Sequence, residues 1–355
     1  MKEEAISILK KYHQEHILEY NLSEKQQQEL EKQILSIDFE QLQNLYESTK
    51  QEKVIEEKKI EHIPYTDKAK MPKEQEQELA NIGTEVIKQG HYAVITMAGG
   101  QGTRLGHKGP KGTYALDTVN GKKYIFEIII DKLKKAKEEY GVTIPWYVMT
   151  SKDNHDETVW FLENNNYFGY EKDKIKFFKQ GELPLIDTQG RVILDENVRI
   201  KEAADGNGGI YEAFAKSGLL DELKQKQTDW IFVSGIDNIL SNFVDPILLG
   251  LTIKENNVIA SKSVAKAYPQ EKAGVFCKMN GKPKIIEYID LPKEMSEELD
   301  ENGELMYGEV NIGTYLYNRS VLENLANAKL PYHAAFKKSG YLNIDGQFIE
   351  PEAPN

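Results

Sequence analysis

HYAVITMAGGQGTRLGHKGPKG, residues 91–112, is the stretch that decides the fold. Its first part, His91 to Met97, is a short apolar run rich in β-formers, and glycines follow at once. Such a run, without polar alternation, predicts a strand buried on both faces. Gly99, Gly100, Gly102, Gly106, Gly109 and Gly112 then predict a loop whose backbone amides can approach a ligand with no Cβ in the way. Arg104 offers a planar fork for oxyanions, and Lys111 a mobile point charge. A tight turn carrying surface basic residues is the plain alternative. Two common glycine fingerprints are absent. No GxxxxGK[ST] occurs, and Gly100-x-Gly102-x-x-x-Gly106 is one residue too long for GxGxxG.

Working outward, Ile125, Ile128, Ile129 and Leu133 give a helix stripe, followed by a strand at Trp146 to Thr150 and a helix around Glu157 to Asn164. Further strands are expected at Ile175–Phe178, Trp230–Ser234, Val258–Ser261, Val275–Lys278, Ile285–Tyr288 and Ile312–Tyr317. Strands alternating with helices predict an α/β fold, Rossmann-like, with a mostly parallel central sheet covered by helices on both faces. Upstream, Leu18, Leu22, Leu30, Ile34, Leu35 and Leu42 predict an N-terminal helical segment over residues 1–75. The remaining domain is then 76–355. The polar stretch from Glu52 to Lys70 reads as a linker, and its run Glu56-Glu57-Lys58-Lys59 as a solvated helix face.

Composition narrows the function. There are 45 Lys and Arg against 57 Asp and Glu, a net charge of -12. That argues against a nucleic-acid or membrane surface, which needs a basic face. Positive charge is instead concentrated locally, in Arg104, His107, Lys108 and Lys111. The single cysteine, Cys277, excludes an internal disulfide and reads as a packed core residue. With no signal peptide and no membrane-length apolar run, a cytoplasmic protein is expected.

GGQGTRLG followed by PKG resembles the signature of the eukaryotic-type UDP-N-acetylglucosamine pyrophosphorylases and their UDP-sugar pyrophosphorylase relatives. The resemblance extends over roughly residues 80–355, through IPWYVMTS (144–151), FFKQGELP (177–184), ADGNGGIYEAF (204–214), SGIDNIL (234–240), AGVFCKMNGKPKIIEY (273–288) and GEVNIGTYLY (308–317). It implies a GT-A-like nucleotidyltransferase that joins UTP to a sugar 1-phosphate, most directly N-acetylglucosamine 1-phosphate. By the same resemblance Ala98, Gly99, Gly100, Gly102 and Thr103 cradle the UTP phosphates, and Arg104 and Lys111 act on the reacting phosphates. Gln180 reads uracil, Gly206 and Asn207 meet the nucleotide and its sugars, and Gly274, Glu287 and Asn311 face the transferred sugar. Asp237 is implied as the Mg²⁺-associated carboxylate.

On the residues alone, Gln180 is equally a surface turn residue, Asp237 equally a helix N-cap, and Glu287 a surface glutamate. The family's GNIxNH reads VNIGTY here, with Val310, Thr314 and Tyr315 as departures. These keep glucose 1-phosphate open as the substrate. Family members continue with more sheet past the position of Asn355, so the C-terminal part of the domain is expected to be missing here, by truncation or in a shortened protein. A non-catalytic UDP-sugar-binding protein and a nicotinamide dehydrogenase are the competing classes. A monomer or weak homodimer is expected.

Overall fold

The computed structural model describes residues 1–50, 59–119, 121–328, 336 and 338–352, so the charged run Glu56-Glu57-Lys58 falls outside it. The chain gathers into two compact units that do not follow chain order. One combines Ile55–Gln180 with Gly209–Ala328. The other combines Met1–Val54, Gly181–Gly208 and Lys329–Asn355.

The larger unit is organised by one sheet, nine-stranded among the described residues. Its main path runs Ile60–Glu61, Val275–Met279, Glu309–Asn318, Trp230–Gly235, Tyr92–Met97, Trp146–Thr150, Ile175–Lys179. Strand Ile259–Ala265 pairs with Glu309–Asn318, and Lys282–Ile286 with Val275–Met279. The last four strands of the path are mutually parallel, the expected α/β centre. The flank beyond Trp230–Gly235 is antiparallel.

Turn chemistry explains part of that flank. Asn280 and Gly281, at φ 51° and 76°, form a two-residue turn in which Met279 faces Lys282. Left-handed Asn-Gly turns match the twist of a hairpin. The expected strand Ile285–Tyr288 is therefore Lys282–Ile286, and Glu287 lies past its end.

The central strands show why their sequence is continuously apolar. Val94, Trp146, Val148 and Phe232 enter one core layer, while Ala93, Ile95, Tyr147, Met149, Ile231 and Val233 enter the opposite layer. Alternate residues point to opposite faces, and both faces are covered. Helix Ile125–Tyr140 closes the first layer with Ile125, Phe126, Ile129, Ile130 and Leu133. Helices Ile210–Lys216 and Arg319–Ala326 close the second with Phe214 and Leu322.

On the first face, helices Lys73–Lys88 and Pro246–Lys254 press together through glycine. A Cβ on Gly83 would run into the Pro246 carbonyl, and one on Gly250 into that of Leu79. Asp245 caps the second helix, its Oδ1 accepting from the amides of Ile247 and Leu248 at 3.0 and 3.1 Å.

In the smaller unit, helices Glu3–Lys11, Glu24–Ser36 and Phe39–Lys50 lie within the expected helical segment 1–75, whereas Ile60–Glu61, also inside it, is a strand of the larger sheet. Leu30, Ile34 and Leu42 are buried with Val192, Leu194, Ile200 and Leu342. Two glutamines join these segments as strands would. Gln14 accepts from the Val192 amide at 2.8 Å and donates to the Gly190 carbonyl at 3.0 Å. Gln33 accepts from the Ile200 amide at 2.8 Å and donates to its carbonyl at 2.7 Å.

Candidate active site

Parallel strands place their carboxyl ends on one edge of the sheet, the edge where open α/β sheets bind ligands. Here that edge collects four chain segments. The glycine loop follows Tyr92–Met97, Asn154 follows Trp146–Thr150, Gln180 follows Ile175–Lys179, and Asp237 follows Trp230–Gly235. The loop is folded rather than open. The Gly102 amide donates to the Gly109 carbonyl at 2.9 Å, and the Lys111 amide to the Gly100 carbonyl at 3.1 Å. His107 braces it from within, its Nε2 2.7 Å from the Thr113 hydroxyl.

Lys111 reaches Asp237, with Nζ 2.6 Å from Oδ1. The lysine side chain is 17% exposed and the aspartate 68%, so the pair is rooted in protein and opens to solvent. Gln180 lies over Gly99. A Cβ there would stand 2.5 Å from its Oε1 and 3.1 Å from its Nε2, so only glycine allows this approach. Ala98 is buried, whereas Gly100, Thr103 and Arg104 are exposed, the last two on the short turn Thr103–Leu105. The two cations thus stand differently: Lys111 is engaged by a carboxylate, while Arg104 projects from the loop surface.

A second group forms where the antiparallel flank begins. The Asn311 amide donates to the Gly274 carbonyl at 2.9 Å, and Glu287 Oε1 lies 3.0 Å from a Cβ position on Gly274. The expected trio Gly274, Glu287 and Asn311 is therefore brought together. Asn311 Oδ1 accepts from the Gly313 amide at 3.0 Å and the Tyr315 hydroxyl at 2.9 Å. Both donors meet the oxygen, which fixes the amide's orientation and leaves Nδ2 as the group offered elsewhere. Gly206, at φ 89°, and Asn207 belong to the smaller unit; Asn207 opens the short turn before helix Ile210–Lys216.

Two residues have structural roles that the sequence reading did not assign. Buried Asn154 ties the strand Trp146–Thr150 to the glycine loop. Thr314, fully buried, receives the Asn238 amide at 3.2 Å and lies 3.4 Å from the hydroxyls of Ser234 and Ser241. That cluster underlies the turn carrying Asp237. Two of the three departures from GNIxNH thus contact residues of the site region: Thr314 meets Asn238, the neighbour of Asp237, and Tyr315 meets Asn311.

Among the described residues no group of three or more His, Cys, Asp or Glu could hold a metal by itself. One exposed carboxylate still suits magnesium, which keeps waters and takes substrate phosphate oxygens as ligands. Asp237 fits that role.

The UTP–glucose-1-phosphate uridylyltransferase family model matches residues 37–354. The chain belongs to this family. Within it, UDP-N-acetylglucosamine pyrophosphorylase of Saccharomyces cerevisiae is 35% identical over 288 residues, 79% of this chain. The crystal structure of the uridine diphosphate N-acetylglucosamine pyrophosphorylase of Trypanosoma brucei superimposes with a TM-score of 0.79 at 30% identity, covering 96% of this chain and 71% of that one. UDP-glucose phosphorylase of the same trypanosome shares the fold, with a TM-score of 0.57 at 18% identity over 76% of this chain and 58% of that one. The chain spans 55–60% of the length of the curated relatives it matches first. No helix among the described residues is long and apolar enough to cross a membrane.

Proposed function

We propose that this chain joins UTP to a sugar 1-phosphate, N-acetylglucosamine 1-phosphate foremost, releasing pyrophosphate and a UDP-sugar. The observation that carries this reading is the Lys111–Asp237 pair beside a glycine loop, at the carboxyl edge of the parallel strands. The relatives above 30% identity named for N-acetylglucosamine support the choice of sugar.

In this reading a phosphate oxygen of the sugar 1-phosphate attacks the α-phosphorus of UTP, and pyrophosphate leaves. The nucleophile is already an anion, so no general base is required. Positioning and charge stabilisation supply the catalysis. Loop amides hold phosphate oxygens, Lys111 meets charge developing on the pyrophosphate, and Arg104 closes on it from the exposed turn. Gln180, a neutral amide able to donate and accept, reads the uracil edge. Gly274, Glu287 and Asn311 contact the sugar. Mg²⁺ at Asp237 would supply positive charge against phosphate oxygens.

The family description itself names glucose 1-phosphate, and Thr314 and Tyr315 depart from the N-acetylglucosamine pattern. A UTP-dependent pyrophosphate-release assay with N-acetylglucosamine, glucose and galactose 1-phosphates decides between them. The highest kcat/KM is expected for the first. UDP-sugar binding by calorimetry without exchange of labelled pyrophosphate would overturn the enzymatic reading in favour of a binding protein.

A further inference from the structure

Asn154 is fully buried and lies four residues past the last residue of strand Trp146–Thr150. Its Oδ1 accepts from the Ser151 amide at 2.8 Å. An amide N–H can only donate, so the carboxamide's orientation is settled and Nδ2 must face the other way. There it donates to the Ala98 carbonyl at 2.9 Å and to the Gly100 carbonyl at 3.4 Å. The Gly100 carbonyl is held a second time, by the Lys111 amide.

These contacts fix more than two oxygens. A trans peptide is planar, with its C=O and N–H pointing in opposite directions. Turning the Ala98 carbonyl onto Asn154 therefore turns the Gly99 N–H away from it. Turning the Gly100 carbonyl inward turns the Gln101 N–H away likewise. Gly99 and Gly100 have no side chain to lock these planes, and glycine is the residue most free to rotate them. Helix His155–Asn164, which follows Asn154, also approaches the loop directly. Glu157 Oε1 would lie 2.7 Å from a Cβ on Gly109. The loop's far side thus has a fixed platform, and Asn154 is its contact with the first turn.

We propose that Asn154 is a positioning residue for the triphosphate of UTP, orienting the Gly99 and Gln101 amides through the carbonyls of Ala98 and Gly100. The inference rests on the nucleotide-binding reading above and adds to it a residue that does not touch the nucleotide. The Lys111 ammonium is held by Asp237 rather than by Asn154, so what Asn154 supplies is preorganisation of the amides.

The test compares two variants of the full chain. Asn154→Asp is nearly isosteric, keeps the acceptor for Ser151, and sets a carboxylate oxygen against two carbonyl oxygens. Asn154→Ala removes the tie and leaves a small void. UTP binding is measured by calorimetry, KM for the sugar 1-phosphate by pyrophosphate release, and folding by thermal unfolding. Asn154→Asp is expected to weaken UTP on the order of 30-fold, and Asn154→Ala by less. KM for the sugar phosphate should stay within about twofold in Asn154→Ala. A packing role gives a different order, with Ala worse than Asp and both substrates weakened in step with thermal stability; that result overturns the proposal. If Asn154→Asp does not fold, Asn154→Ala alone decides, through its split between UTP and sugar phosphate. Wild-type binding of UTP matched by both variants defeats this inference alone, whereas failure of the wild-type chain to bind UTP defeats the parent reading as well.

Discussion

Gly99→Ala tests the geometry of base recognition with one methyl group. The added Cβ would stand 2.5 Å from Gln180 Oε1, 2.9 Å from its Cδ and 3.1 Å from its Nε2. Ordinary contact begins near 3.4 Å, so the carboxamide must retreat by about 0.9 Å. Hydrogen bonds of 2.7–3.2 Å do not survive a displacement of that size. Losing the amide's contacts to the base costs about 1–3 kcal/mol, or roughly 5- to 150-fold in affinity. Stability should hardly change, because the moving group is the end of a half-buried side chain on a flexible stem. Calorimetric titration with UTP, alongside a thermal melt, measures both quantities. The same titration with CTP adds a check, since discrimination should fall with affinity. An unchanged Kd for UTP would refute the placement of Gln180 as the base reader. A fall in melting temperature with no loss of affinity would show that the approach to Gly99 serves packing alone.

Other perturbations separate chemistry from scaffold. Lys111→Ala is expected to lower turnover on the order of 10²-fold in the pyrophosphate-release assay, as for loss of one preorganised charge contact; a near-normal rate removes Lys111 from the mechanism. Gly250→Ala should destabilise by about 1–3 kcal/mol in urea unfolding, because its Cβ meets the Leu79 backbone rather than a movable side chain. Burial, aided by Lys179, holds the His155 imidazole below its ordinary value of 6.5. The unfolded chain therefore takes that proton first as pH falls, so stability declines from about pH 6.5 down to the folded value and then levels. Urea titrations at several pH values should show this decline flattened in His155→Gln.

Much of this molecule could be read from residue order because its signals are local. The run from Tyr92 to Met97 is apolar on both faces, since both faces of the central sheet are covered. The glycines after it mark a close approach, and Gln180 over Gly99 is one such contact. The flank was less legible. Asn280-Gly281 is a strong hairpin signal, yet the apolar pair Ile285-Ile286 drew the expected strand toward Tyr288, past its true end. Asn154 was invisible for another reason, and Thr314 was legible only as a departure from a pattern. Each is a small polar residue whose value lies in a partner brought near by the fold: the Ala98 carbonyl for one, the Asn238 amide for the other. No spacing along the chain reports such a pairing.

The smaller unit has a consequence for how the protein is made. Its first helices leave the ribosome early, but part of the core they enter, Val192, Ile200 and Leu342, is synthesised much later. At 5–20 residues per second, the interval between Lys50 and Leu342 is roughly 15–60 s. Until then part of that core is missing, although Gly181–Gly208, the insertion between the two stretches of the larger unit, has already supplied Val192 and Ile200 to it. Vectorial synthesis thus completes this core only once Leu342 has emerged, long after its opening helices.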